Sequence, residues 1–387
     1  MDTTQTISDW QFESLGTRQQ FEALAAEWEA LLDAAHTDNI FLSHTWLREW
    51  WRVYGEGRQL WVVAARRGGR LAGAAPLMIE RTRQGARRLA FVGAGSVVPN
   101  HLDFIVEPQS RAELTPLLCD YVWRHNAQWD VLDFDTLPEG SPTLAALAQR
   151  PGAVAAAKAQ CPYAVLPASF EAFVQSRGSK TRKQLRLSRN YLSQDFPSAR
   201  FGMVRTADEF DPAFEALVYL HQQRWAERGQ PGAFAGTQFT NFHRATALAA
   251  LARPAQDRLR LYFLEIENAY AAVYLCYRTG RRVQYYIAGY DDRWGKYSVG
   301  IQTLAYAIEQ SIAEGAAEFD FLQGDEAYKT HWATHSRANW QLQLAGPHLR
   351  GQLAWARRQI PVRARGWAKR RLPPQLTAAL KRLVRRN

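Results

Sequence analysis

The chain has 387 residues, 47% of them apolar and 22% charged, which excludes disorder, collagen and simple coiled coil for its bulk and leaves room for one large or two ordinary domains. The formal charge of +11 is unevenly spread: residues 348–387 hold twelve Lys/Arg and no Asp or Glu, so residues 1–347 carry 36 basic against 37 acidic groups. The basic character therefore belongs to an appendage, and the body need not bind polyanions.

Residues 19–35 and 43–54 have helical spacing; in the second, Trp46, Trp50 and Tyr54 share one face. Leu60–Arg66, a Gly68-Gly69 turn and Leu71–Ile79 predict a hairpin, and short strands are expected at 90–92, 102–106 and 131–134, with a helix at 114–124. A second pass of similar order follows. Helices are expected at 213–229 and 239–253, a hairpin at 259–267 and 270–278, a strand at 283–290, a helix at 301–314 and a strand at 318–322. The order reads as two related α/β halves joined by a basic helix near 178–193, with divisions at 1–167, 168–198, 199–347 and 348–387.

Three widely spaced cysteines in apolar stretches, Cys119, Cys161 and Cys276, read as reduced core thiols. The first residues lack the apolar run of a secretory signal, and no stretch approaches a membrane-spanning helix, so a cytoplasmic protein is expected. In the tail, Leu353, Trp355, Ile360 and Trp367 interleave with arginines, a pattern that suits an anionic membrane surface, RNA or a solvated extension. Helical stretches are expected there at 352–360 and 375–384, broken by Pro361, Pro373 and Pro374.

The chemistry concentrates between Arg282 and Trp332. A strand ending at Tyr290 leads through a loop with Gly295, Lys296 and Gly300 into a helix, and the free N–H groups of a first turn favour an anion such as pyrophosphate. In the strand Glu318–Leu322, Asp320 points opposite to Phe319 and Phe321. A carboxylate there is either paired, with Lys329 or an arginine, or part of a site. Tyr328 and Lys329 follow just past the strand end, where open α/β sheets bind ligands. On the connector helix, Arg182, Arg186 and Arg189 fall on one face, as a solvated surface or as a clamp for a phosphorylated acceptor. His331 and His335 have metal-capable spacing without a third ligand, so no metal is expected. Asn100, His101 and Asp103 are candidates to line the cleft from the first half, or to cap a strand end.

Taken together, Tyr285–Asp291, Tyr297–Gly300, Phe319–Lys329, Arg224-Trp225 and the Arg182/Arg186 helix resemble the CelD-like or BioF-like acetyltransferase family of the GNAT superfamily, related to the Fem peptidyltransferases. The resemblance spans about residues 40–345. It implies two tandem GNAT-like halves with mixed sheets flanked by helices, and acyl transfer from acetyl-CoA or another acyl-CoA to an amine or hydroxyl of a small-molecule, sugar or lipid-linked acceptor. By position it implies a donor site at Ile287, Lys296, Tyr297, Ser298, Val299 and Gly300, although only one glycine stands at the helix start where the family commonly has two. It further implies Asp320 as proton acceptor, Tyr328 as donor to the departing thiolate, and Lys329 binding an acidic acceptor or neutralising Asp320. Arg182, Arg186, Trp225, Tyr290 and Asp103 would contact the acceptor. Fem relatives use aminoacyl-tRNA, which is the alternative donor; a non-catalytic membrane- or RNA-binding module is the rival outside enzymes.

Overall fold

A computed structural model describes residues 4–357 apart from 8, 254, 255, 257 and 325. The first half comprises β1 (Thr4–Ile7), β2 (Trp10–Leu15), α1 (Arg18–Ala23), α2 (Ala25–Ala35), α3 (His44–Tyr54), β3 (Gln59–Arg67), β4 (Arg70–Arg81), β5 (Arg87–Phe91), β6 (Ile105–Val106), α4 (Arg111–Arg124), β7 (Val131–Pro138), α5 (Pro142–Ala148) and β8 (Val154–Val165). Two connector helices follow, α6 (Phe170–Gln175) and α7 (Ser179–Asp195). The second half comprises β9 (Arg200–Met203), α8 (Ala207–Ala226), α9 (Thr237–Leu251), β10 (Leu259–Ile266), β11 (Ala269–Thr279), β12 (Arg282–Tyr290), α10 (Val299–Ala313), β13 (Glu318–Asp320), α11 (Ala327–Trp332) and β14 (His335–Ala345).

Local chemistry starts the helices where the side chains allow it. Thr17 and Gln20 form a capping box on α1, Ser43 caps Trp46 N on α3, and Thr206 caps α8, whose first turn holds Asp208 and Glu209 against the helix dipole. The aromatic face expected on α3 turns inward: Trp46 and Trp50 are inaccessible and Tyr54 is half-buried, with Trp46 edge-on to Phe41 and to Phe242 and Tyr277 of the second half. The three cysteines are free and buried.

Fourteen strands join one sheet in the order β1-β2-β3-β4-β5-β7-β14-β8-β13-β12-β11-β10-β9, with β6 beside β4. The two halves repeat one topology. An antiparallel run, β2-β3-β4-β5 or β9-β10-β11-β12, ends in a single parallel neighbour, β7 or β13, reached through α4 or α10. The last strand of each half then crosses over. β8 leaves the first half to pair with β13, β14 leaves the second to pair with β7, and the two pair antiparallel with each other at the seam. Neither half closes its own sheet, so the tandem is one folding unit.

Buried amides lock the seam. Asn39 Nδ2 donates to the carbonyls of Asn100 and His101, Gln284 Nε2 donates to Asn39 Oδ1, and Asn339 Nδ2 donates to Asn100 Oδ1 at 2.8 Å. With partners drawn from both halves, these groups specify one docking geometry at little net gain in free energy. Among the described residues no helix is long and apolar enough to cross a membrane. The helix expected at 352–360 is present over 349–357; the remainder of the tail, including 375–384, lies outside the described residues.

Candidate active site

The site begins where two parallel strands part. β12 and β13 pair only at Arg282–Gln284 and Glu318–Asp320, after which β12 continues to Tyr290 paired with β11 alone. The register of β12 against β11 slips between Leu275 and Cys276, leaving Tyr286 as the extra residue of a bulge that bends the strand beside the gap. The gap is a cavity of ≈ 530 Å³ walled by β12, the start of α10, the end of α8 and the loop entering α11.

One wall is a helix N-terminus with no side-chain cap. Ser298 takes a left-handed conformation (φ 48°), its carbonyl accepts from Gln302 N and its hydroxyl from Gln184 Nε2, so the amides of Val299, Gly300 and Ile301 are left without intrahelical partners. Gly300 is closely packed: a Cβ there would meet the Tyr290 ring at 3.1 Å, while the Gly300 carbonyl accepts from Tyr274 Oη at 2.9 Å. The dipole of α10 and its free amides suit an anionic ligand, and Gly300 keeps their approach clear. These features fit the phosphate portion of an acyl-CoA.

The opposite end is phenolic. Tyr328 Oη donates to Tyr285 Oη at 3.2 Å, and Tyr285 stacks on Tyr274 with ring centroids 5.2 Å apart. Burial pushes all three phenols up, so each stays protonated at neutral pH. Lys329, buried, donates to the Gln323 carbonyl at 3.0 Å and pairs with Glu326 at 2.9 Å. Trp225 and Arg224 face the cavity from α8, with the Arg224 guanidinium 4.0 Å from the centre of the Tyr290 ring.

Of the residues singled out from sequence, Ile287, Ser298, Val299, Gly300, Trp225, Tyr290, Tyr328 and Lys329 all line this cavity. Lys296 and Tyr297 do not: both reach Asp195 at the end of α7, the lysine at 2.6 Å and the phenol at 2.9 Å. Arg182 is spent on the carbonyls of Gln175 and Arg177, and Arg186 is exposed on α7 away from the cavity walls. Asp103 lines a separate cavity of ≈ 280 Å³ between the halves, with Arg111, Ser141 and Thr143 from the first and Arg282 and Arg337 from the second.

Asp320 sits behind the cavity, not in it. Its carboxylate accepts from His101 Nε2 at 3.1 Å, Arg337 at 2.9 Å and the Leu322 amide at 2.8 Å, and it is fully buried. Burial opposes its charge, but His101 and then Arg337 and Arg282 more than offset this and hold the carboxyl far below the usual range. A carboxylate so acidic, with its oxygens occupied, is a poor proton acceptor. This is the paired arrangement with an arginine, and the arginine comes from β14, a strand that sequence periodicity does not reveal.

Sequence reasoning did not single out Tyr274 or His221 as cavity residues. Tyr274 and Tyr285 stand on adjacent strands and meet only through the slipped register, a relation with no signal in either segment.

Comparisons with known proteins bear on the fold. Residues 179–330 match the acetyltransferase (GNAT) domain family. The crystal structure of FemX is 12% identical and superposes with a TM-score of 0.61, covering 89% of this chain and 97% of that one. The DUF2156 domain of a putative lysylphosphatidylglycerol synthetase from Agrobacterium fabrum is 10% identical with a TM-score of 0.54, covering 89% and 97%. A protein of unknown function from Bacteroides thetaiotaomicron is 11% identical with a TM-score of 0.50, covering 89% and 100%. At such identities these likenesses concern the fold. A comparison with curated proteins gives no match. Residues 179–330, the segment that matches the acetyltransferase (GNAT) domain family, build every wall of the cavity.

Proposed function

We propose that this protein transfers an acyl group from acetyl-CoA or a longer acyl-CoA to an amine or hydroxyl of a small-molecule, sugar or lipid-linked acceptor. The observation that carries the reading is the cavity at the parting of β12 and β13, with an uncapped helix N-terminus at one side and a buried tyrosine pair at the other. The donor supplies a thioester carbonyl. Val299, Gly300 and Ile301 amides hold its phosphates, and the unpaired edge of β12 beyond Gln284 offers backbone groups to the rest of it.

In the transfer, the acceptor's nitrogen or oxygen bonds to the acyl carbon, the carbon–sulfur bond breaks, and the acceptor's proton must leave. Tyr328, held by Tyr285, donates a hydrogen bond to the departing sulfur. Its phenol is raised above the ordinary thiol range, so it steadies a thiolate without surrendering its proton. Glu326 lines the cavity and takes the acceptor's proton, with Lys329 orienting it. Asp320 acts through structure, by fixing the strand from which this loop departs.

The acceptor is met at a membrane face from the cytoplasmic side. Supporting this, Leu349 and Leu353 are exposed on the 349–357 helix next to Arg350 and Arg357, beside the Arg81 and Arg83 turn, where the twelve-charge tail begins. Removing residues 349–387 is expected to abolish salt-sensitive binding to anionic vesicles.

Calorimetric titration of acetyl-CoA and CoA into the full chain tests the donor. Saturable binding that Gly300→Glu removes is expected. No binding at millimolar ligand overturns the acyl-CoA reading and turns attention to aminoacyl-tRNA, the alternative that the full-length likeness to FemX keeps in view.

A further inference from the structure

Most buried and half-buried guanidinium groups in this protein are matched with carboxylates. Arg258 pairs with Glu29 at 2.6 Å, Arg260 with Glu314 at 2.8 Å, Arg282 with Glu318 at 2.6 Å and Arg337 with Asp320 at 2.9 Å. Arg177 instead donates to the carbonyls of Trp332 and Ala333. The regularity has a physical basis, since a buried charge without a partner costs several kcal/mol.

Arg224 breaks the pattern. It lies in the last turn of α8 and half-buried on the cavity wall, its guanidinium over the Tyr290 ring at 4.0 Å. Its Nε is buried without a hydrogen-bond partner, and among the described residues no carboxylate pairs with it. One turn on, Arg228 also lines the cavity, its guanidinium 5.9 Å from the centre of the Trp225 ring. Of the three carboxylates on the same walls, Asp291 holds Arg293 at 2.7 Å and Glu326 holds Lys329, while Asp292 forms no ion pair with Arg224. A planar, permanently charged fork exposed to an aromatic cavity is the arrangement that recognises a carboxylate or phosphate bidentately.

We infer that Arg224 binds an anionic group, carboxylate or phosphate, carried by the acceptor. The inference rests on the acyl-transfer reading of the cavity. The donor's anions have their own partners at the α10 N-terminus, whereas Arg224 stands with Tyr290 and Trp225 on the α8 wall. Neutral acceptors of the same size leave the guanidinium unpaired and are selected against by that cost.

The test uses three aromatic probes that differ in one group, phenyl phosphate, benzoate and benzyl alcohol, titrated calorimetrically into the full chain. At least one anion is expected to bind about tenfold or more tighter than the alcohol, the tighter of the two identifying the oxyacid preferred, and Arg224→Gln is expected to erase the difference while Arg224→Lys keeps part of it. Equal binding of all three, no binding of either anion, or anion binding unchanged in Arg224→Gln overturns the assignment. Acetyl-CoA is titrated in parallel. Affinity in Arg224→Gln within about twofold of the parent leaves the anion with the acceptor, and a loss beyond about tenfold puts the guanidinium on the donor and refutes the inference. If the parent itself fails to bind acetyl-CoA, the donor reading falls while the anion comparison still decides for or against Arg224.

Discussion

The two halves share a topology and differ at one strand. In the second half β12 is unbroken from Arg282 to Tyr290 and parts from β13, which opens the cavity. In the first half the corresponding strand stops at Phe91 and resumes as β6 at Ile105, both pieces antiparallel to β4. The residues between, 92–104, cross to the second half, where His101 meets Asp320 and Asn100 meets Asn339. One half thus keeps its strand intact and has a binding cleft; the other interrupts the strand and uses the excursion to brace its partner. A repeated fold divides labour here through a backbone detour more than through a change of residue types.

The sharpest way to break this comparison is to remove the brace. Asp320→Ala leaves Arg337 and His101 facing a void and is expected to lose about 3–5 kcal/mol, read from urea unfolding. Asp320→Asn that kept full stability but lost about 10³-fold in kcat would return the general-base role to this residue. Next is the helix start. Gly300→Glu drives a side chain into the Tyr290 ring and an anion into the free amides, and is expected to weaken acetyl-CoA about 100-fold or more. Ala112→Glu, the second residue of α4 and exposed, is its first-half counterpart and is expected to change affinity less than about twofold. Equal losses would mean that both halves bind the donor.

Tyr328→Phe comes third, with kcat down about 10²-fold and acetyl-CoA affinity nearly unchanged, because the lost hydrogen bond strengthens only as sulfur departs. An effect confined to affinity would assign the phenol to binding. The smallest effect is acid sensitivity. His243 is buried among the Trp46, Phe242 and Tyr286 rings, neither ring nitrogen has a partner, and burial pulls its pKa down to about 3. The unfolded chain takes up this proton near pH 6.5 while the folded one refuses it. The contribution is therefore complete above pH 6.5 and is lost as pH falls toward 3, at about 1.4 kcal/mol per pH unit. Between pH 7 and 5 the parent should lose about 2 kcal/mol more than His243→Phe, measured by urea midpoints. His221, pulled down to about 4 by burial, contributes to both proteins alike.

Much of this was readable in the chain. The β3–β4 and β10–β11 hairpins, the aromatic face of α3, and the glycine at the start of α10 follow from local chemistry, as does the run from Tyr285 to Lys329 on which the resemblance rests. β8 was not readable: its residues Val154–Lys158 are mostly alanine and all exposed, so neither composition nor alternation marks a strand. β14 was missed as well, and with it Arg337. Lys296 and Tyr297 stand in the loop before α10, but their side chains turn to Asp195 on α7, a neighbour 101 and 102 residues away.

By itself the sequence determined which segments are helical or hairpin, where the charge is segregated, and that an anion-friendly helix start is followed by a tyrosine past a strand end, because each of these depends on neighbours within a few residues. Tertiary structure alone decided that Asp320 is a brace, that β8 and β14 exchange halves, and that Arg224 faces the cavity without a counter-ion. Each of those depends on which distant side chain arrives at a given point, and a buried charge takes its meaning from the partner it finds or lacks.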